Sequence, residues 1–550
     1  MATMNNTKKT AQRSVTKDRK TTVNHHGTTV HKLDALEQLF SRVLGSLFGE
    51  STHYEKRTAE GDYEKLCKTI EQVHDDDIEY VLKIAQLGRE YNMIQYPLAV
   101  LTACMNDDRF KGEEFVDEKT GKNKLQSYAY YIIRRGKDIL DILATQMNVY
   151  GFTAKGRGKN KHRETPLPMQ MRKTLKGKLE SFNEYQLSKA LGESKQVSMA
   201  DAIKLLHPDP RKSRVGRDFY KDIIEGRVKM GADTAQVQSE IAKVNNKNSK
   251  TTKKDVVKSI DTSTVMAIVK NLVALDKQGL FSDKNAVDSI VAKLTDKKEV
   301  QKSRLLPFRF YSAYKEVDKL PNSMGKRRVL DALVEALDLS IDNLQDIVGY
   351  SAVLVDLSGS MKHNISSMSA VTAYEVACML GAICFKKGIA DVYVFANRCT
   401  MVHNISTKST TMDIMREIMR QNVGGCTNLD VALAEIKRSG TQYTNLIILS
   451  DNDCYSSNGN SFTFTRGWGY SCDDNVNDLI KRGVVKKVYV NNLLGNNFAI
   501  INTDDYRKNL ITGFSERIVE VINTYSAIGT GASDIRVVID SLVDALNIEK

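Results

Sequence analysis

The chain has 550 residues, 41% of them hydrophobic, and carries 80 Lys and Arg against 67 Asp and Glu, a formal charge of +13. That length and apolar fraction call for two or more domains, each with its own core, and exclude a chain disordered throughout. The basic excess favours a polyanionic partner, nucleic acid being the commonest, without choosing between RNA and DNA.

Residues 1 to about 32 are rich in Thr, Asn, Lys and His. Here Lys8, Lys9, Arg13, Lys17, Arg19, Lys20 and Lys32 face one acid, Asp18, and no periodic apolar face is present. The composition predicts a disordered basic arm over 1–32. From about Leu33 to Leu344 apolar residues recur at helical spacing, as in LDALEQLFSRVLGSLF, DIEYVLKIAQLGRE and VMAIVKNLVALDKQG. Successive antiparallel helix pairs over 33–346 predict a solenoid of HEAT type, although no clean repeat period stands out.

Two basic clusters interrupt this helical stretch. Lys155, Arg157, Lys159, Lys161 and Arg163 form a glycine-spaced loop, and Arg172, Lys173, Lys176 and Lys178 carry the charge onto a helix opening near Pro168. Glu164 is the only acid between 155 and 178. The second cluster is His207-Pro-Asp-Pro followed by Arg211, Lys212, Arg214 and Arg217, where the prolines end a helix at Leu206 and hold the cations in a turn. One-sided charge of this kind suits phosphate. The plainer alternative is a solvated helix face beside a loop. Tyr128, Tyr130 and Tyr131 are available to stack on unpaired bases, but helix packing is their commoner use.

Composition changes near residue 350. All seven prolines lie before it, and beyond it strands alternate with helical stretches: YSAVLVDLS, ADVYVFANR, TNLIILSDN and KKVYVNNLL, with a helix from Met368 to Phe385 after the first. Alternation of this sort predicts a doubly wound parallel sheet covered on both faces over 347–550, with ligands at the carboxyl ends of its strands. Residues 456 to 474, with Gly459, Gly467, Trp468 and Gly469, predict a long loop over that edge.

Three polar loops converge there. VLVDLSGSM ends a strand in Asp356, Ser358 and Ser360; GGCTN supplies Thr427; NLIIL ends in Ser450-Asp451. Two carboxylates with several hydroxyls suit Mg²⁺, a hard ion that prefers oxygen ligands and keeps some of its waters. Ser358 and Ser360 are the expected direct hydroxyl ligands and Thr427 completes the shell or engages through water, while Asp356 and Asp451 supply charge directly or through water. Hydroxyl ligation leaves the ion electrophilic and ready to accept a partner's carboxylate, which favours adhesion over hydrolysis. The bland alternative is that Asp356 and the serines only cap the following helix.

No catalytic constellation accompanies this site. None of the nine histidines pairs with a Ser or Cys in a nucleophile elbow, and there is no phosphate-cradling GxxxxGK[ST] loop. The eight cysteines lack zinc spacing and read as reduced thiols. No run of 18 apolar residues and no signal-peptide core occur, so a cytosolic protein with no membrane span is expected.

The order of segments resembles the Ro autoantigen family. MAIVKNLVALDKQGL and KLTDKKEVQKSRLLPFRFYSAYKEV are similar to its late TROVE segments, with the Ser303-Arg304 and Pro307-Phe308 pairs; PMQMRKTLKGKLESF and IKLLHPDP are similar to the middle ones. VDLSGSM, GGCTN and LSDND match the metal loops of von Willebrand factor A domains generally. The resemblance spans about residues 35 to 550. It implies a ring of HEAT-like helices joined to an A domain with a Mg²⁺ site. It also implies binding of single-stranded ends of misfolded or processed RNAs through the ring, and of small Y RNAs on its outer basic surface. One segment departs: where the family has Trp-Ser-His-Lys/Arg-Asp, with the histidine engaged in Y-RNA binding, this chain has Val197-Ser198-Met199-Ala200-Asp201.

The expectation is therefore a monomeric, non-enzymatic RNA-binding ribonucleoprotein component in RNA quality control or stability. A protein partner is expected at the metal. The alternative is an adhesion or scaffold protein whose helical part contacts protein.

Overall fold

The computed structural model describes residues 21–24, 28–45, 48–49, 57–112, 115–118, 121, 123–150, 167–191, 196–228, 253–365, 369–454, 472–495, 498–513, 518–529, 534–546 and 548. The basic loop 155–163 and most of the glycine-rich 456–474 stretch lie outside them. The last residues of that stretch, 472–474, open the helix Cys472–Lys481 rather than continuing a loop.

A six-stranded sheet organises the C-terminal domain: β3 (Tyr350–Asp356), β4 (Ile389–Phe395), β5 (Cys399–Met401), β6 (Tyr443–Ser450), β7 (Val485–Asn492) and β9 (Lys508–Thr512), in the order β5-β4-β3-β6-β7-β9. Every neighbouring pair is parallel except β4 with β5. The central strands are near-continuous apolar runs because both faces are covered. Val353, Val355, Ile447 and Leu449 join one core with the helix Ala373–Lys387, while Ala352, Leu354, Leu446 and Ile448 join another with the helices Leu429–Arg438 and Cys472–Lys481. Sequence periodicity missed β5, a three-residue edge strand, and β9, whose alternating KNLIT is buried on both faces. The first A-domain helix begins at Ala373 rather than Met368, because Thr372 and Glu375 close a reciprocal capping box there.

The helical segment runs from Ala35–Gly45 to Met324–Ile341 as successive α-helices packed on their sequence neighbours. Short polar side chains start many of them: Thr58, Thr264, Asp283, Asp296 and Ser323 each accept a backbone N–H of the first turn. Both ends of this segment rest on the A domain. At its start, Ile78–Glu90 packs on the last helix, Ile535–Ala545, where Arg536 Nε donates to Asp77 (2.7 Å) and Lys83 Nζ to Asp540 (2.6 Å). At its end, Pro307–Asp318 and Met324–Ile341 meet the helices Ala373–Lys387 and Thr411–Arg420 through Lys315–Glu375 and Lys386–Asp338. The A domain thus bridges the two ends of the helical array.

The expected disordered arm is corrected in its last third. β1 (Thr21–Val23) and β2 (Thr29–Lys32) form a hairpin whose β2 pairs antiparallel with β8 (Phe498–Ala499). Val30 is fully buried in the A-domain core, and Asn24 Nδ2 donates to the Cys454 carbonyl at 2.6 Å. Composition argued for disorder, yet one buried valine and a ladder supplied by distant residues suffice to order the segment.

Candidate metal centre and nucleic-acid surface

β3 and β6 are adjacent and parallel, so Asp356 and Asp451 emerge side by side at the carboxyl edge of the sheet. The structure brings all five expected ligands into buried loops there: Asp356, Ser358 and Asp451 are fully buried, Thr427 is 2% exposed and Ser360 8%. Asp356 Oδ1 accepts the Ser358 N–H at 2.8 Å, Ser358 Oγ lies 3.1 Å from Ser360 Oγ, and Ser450 Oγ donates to Asp356 Oδ2 at 2.6 Å. Ser450 is a supporting residue that the sequence reading placed beside Asp451 without giving it a role.

The Thr427 loop is pinned onto the first. Gly359 N–H donates to the Gly425 carbonyl at 2.8 Å, and Asn397 Oδ1 accepts from the N–H groups of both Gly425 (2.6 Å) and Cys426 (2.8 Å). Gly424 has φ +99, and a Cβ there would sit 2.2 Å from Asn397 Oδ1, so only glycine fits this corner. Asn397 escaped the sequence reading because it follows β4, a strand with no metal motif.

Burial and then the negative charge of Asp451 push the Asp356 carboxyl up to about 7, against hydrogen bonds from Ser450 and Ser358 that lower it. Two carboxylates buried this close repel one another unless a cation lies between them. That electrostatic demand, together with three hydroxyls, fits a hard divalent ion. His363 is exposed and stands outside this donor set. Among the described residues no group of three or more His, Cys, Asp or Glu that could hold a metal ion is present, this edge included, so a cation here would rely on hydroxyl oxygens beside the two carboxylates.

The second candidate surface lies on the helical segment. Met169–Glu180 opens at Pro168, as expected, and carries Arg172 and Lys173 exposed and Lys176 half-buried. Met199–Leu206 ends at His207, which is exposed and takes the left-handed conformation at φ 48. The turn that follows docks on the end of the first helix: Asp209 N–H donates to Glu180 Oε1 at 2.6 Å and Arg214 N–H to the Glu180 carbonyl at 3.0 Å. Arg172, Lys173 and Lys176 are thus joined by Lys212 and Arg214, and none of the five forms an ion pair among the described residues. Arg211 differs, being neutralised by Asp209 at 3.2 Å.

Lys178 turns inward. Its Nζ donates to the Tyr130 carbonyl at 2.7 Å and lies 5.3 Å from the Tyr130 ring centre. Burial first, and then the nearby cations Arg214 and Arg134, lower its pKa. Arg134, partly exposed nearby, is paired with Glu90 and is neutralised as Arg211 is. Tyr128 and Tyr131 serve packing, donating to Glu79 and Glu90. The exposed aromatic is instead Tyr185, with Lys189 Nζ 4.3 Å from its ring centre.

At the departing segment, Ser198 and Asp201 form a capping box that starts the helix, and Met199 is only 2% exposed. The Met199 side chain is thus part of the core.

Comparison with known proteins agrees with this architecture. A family model described as the TROVE domain matches residues 259–378, and one described as the Ro60 vWA domain matches residues 351–526. Among solved structures, the Ro (RSR) protein of Deinococcus radiodurans aligns over 93% of this chain and 100% of its own, at 15% identity and a TM-score of 0.57. Proximal thread matrix protein 1 from the mussel byssus, in two crystal forms, aligns over 40% of this chain and 53% of its own, at 15% and 16% identity with TM-scores of 0.21 and 0.20. A comparison with curated proteins finds no match. The chain thus carries a match to the TROVE domain model running directly into a match to the Ro60 vWA model, on a fold similar to that of a Ro protein along nearly its whole length.

Proposed function

We propose that the chain is an RNA-binding ribonucleoprotein component whose helical segment grips RNA phosphates and whose A domain holds a divalent cation for contact with a partner. The observation that carries the RNA reading is a group of cations with no ion pair among the described residues, Arg172, Lys173, Lys176, Lys212 and Arg214, on one helix and the turn docked against it. Cations left without carboxylate partners lose nothing on meeting phosphate except counterions, whose release drives binding. Single-stranded RNA ends suit this surface, with Tyr185 available for stacking. Met199, buried where the family has histidine, offers no polar group for Y-RNA readout, so backbone contacts dominate.

In the A domain, Asp356, Ser358, Ser360, Thr427 and Asp451 would hold Mg²⁺, which when bound supplies a Lewis-acidic site for a partner's carboxylate. The chain's own residues set the loops: Ser450 orients Asp356, and Asn397 fixes the Thr427 loop. Hydroxyl-rich ligation activates water poorly, which supports docking over hydrolysis. The deciding experiment is nuclease-sensitive absorbance of the purified protein followed by filter binding of a single-stranded RNA at several salt concentrations. RNA that co-purifies and binds with a steep salt slope supports the reading; no RNA at any salt favours a protein scaffold.

A further inference from the structure

The helix Ala373–Lys387 is the element through which the metal loops and the helical segment touch. It begins where the metal loop ends: after Ser360 the chain runs through Met361 and Lys362 to His363, whose carbonyl accepts the Ala373 N–H at 3.0 Å. Asn364 bridges to Thr372, the N-cap of this helix. The cap is closed by Glu375, whose Oε2 accepts from the Thr372 N–H (2.9 Å) and hydroxyl (3.1 Å).

The other oxygen of the same carboxylate belongs to the helical segment. Glu375 Oε1 accepts from Tyr311 Oη at 2.7 Å and from Lys315 Nζ at 2.6 Å, both on Pro307–Asp318. Glu375 is 6% exposed, so these bonds are made away from bulk water. Burial alone would raise its pKa, yet the bonds from Lys315 and Tyr311 hold it below the usual carboxylate range. The far end of the helix is held too, by Lys386 on Asp338 at 3.1 Å; Asp338 also accepts from the Thr411 N–H at 2.8 Å. A helix held at one end by Pro307–Asp318 and at the other by Met324–Ile341 couples a displacement of its first turn to the helical segment.

We infer that Tyr311 and Lys315 are positioning residues for the A-domain cradle, acting through Glu375 and its N-cap, so that cation binding and the setting of the last helices are linked. The inference rests on the reading of the cradle as a metal site. Linkage is reciprocal: if the helices hold the loop in its ligating form, the ion in turn steadies the helices.

The test uses the full chain and MgCl₂ alone, titrated calorimetrically into wild type, the double variant Tyr311→Phe/Lys315→Met, and Lys315→Arg. The expected result is a loss of Mg²⁺ affinity of about fivefold or more in the double variant, the lower range of measured couplings, with affinity restored in Lys315→Arg. A purely structural role would lower thermal stability and leave the affinity unchanged; that outcome overturns the inference. Hydrogen exchange on the wild type provides an arm independent of any variant. Mg²⁺ should slow amide exchange across residues 307–318, and unchanged exchange there despite measured Mg²⁺ binding also overturns it. Absence of Mg²⁺ uptake by the wild type would instead remove the metal reading, and this inference with it.

Discussion

Removing three of the unpaired cations, as Lys173→Ala/Lys176→Ala/Arg214→Ala, separates a phosphate surface from a merely solvated one. None of the three has a carboxylate partner among the described residues, so their loss should leave folding intact. If each meets one phosphate of a single strand, the slope of log K against log salt should flatten by about 0.7 per residue, or about 2 in all. Raising salt threefold would then narrow the affinity gap between wild type and variant about tenfold. The measurement is fluorescence anisotropy with a labelled single-stranded RNA from 0.1 to 0.3 M KCl, with Arg211→Ala as the internal control. Because Arg211 is already paired with Asp209, its loss should change the slope less than that of any one of the three. Equal slopes for wild type and triple variant would refute the assignment, whatever the change in affinity at a single salt concentration.

Further expectations concern the other parts of the molecule. Ser358→Ala should abolish calorimetric Mg²⁺ binding and leave RNA affinity within about twofold; loss of RNA binding would show that the two domains do not divide the work. Gly424→Ala should cost about 1–3 kcal/mol through its strained φ and the Asn397 clash, and weaken Mg²⁺ binding with it. Asp138 is fully buried and accepts from Arg89 Nη2 (2.8 Å), Arg135 Nη2 (2.7 Å) and the N–H groups of Arg134 and Arg135. Asp138→Asn leaves Arg89 buried without its counter-charge and should cost about 3–5 kcal/mol in urea denaturation.

The convergence of the A-domain loops was legible because the pattern is local. Asp356, Ser358 and Ser360 share one loop, and alternation of strand and helix places Thr427 and Asp451 at the same edge. Asn397 and Ser450 were not, since their roles arise from contacts between loops. In the helical segment periodicity gave the elements, and Pro168 and Leu206 marked helix ends as expected. What it could not give was which cations stay unpaired: Arg211 and Arg214 look alike in sequence, and only the fold sets Asp209 against the first. The N-terminal hairpin was illegible for a related reason, since its partner strand lies at residues 498–499.

That hairpin constrains how the protein is made. Asn24 meets Cys454, 430 positions away, and Asp77 meets Arg536, 459 away, so these residues find their places only after more than four hundred further residues have been made. Such long-range closure is slow, and domains generally fold N-terminal first during synthesis. The hairpin must therefore wait roughly 20–90 s for its partner residues to emerge, at about 5–20 residues per second. Its threonines, with Asn24 and Lys32, are suited to that delay, because a polar strand can remain unpaired in a crowded cell without seeding aggregates.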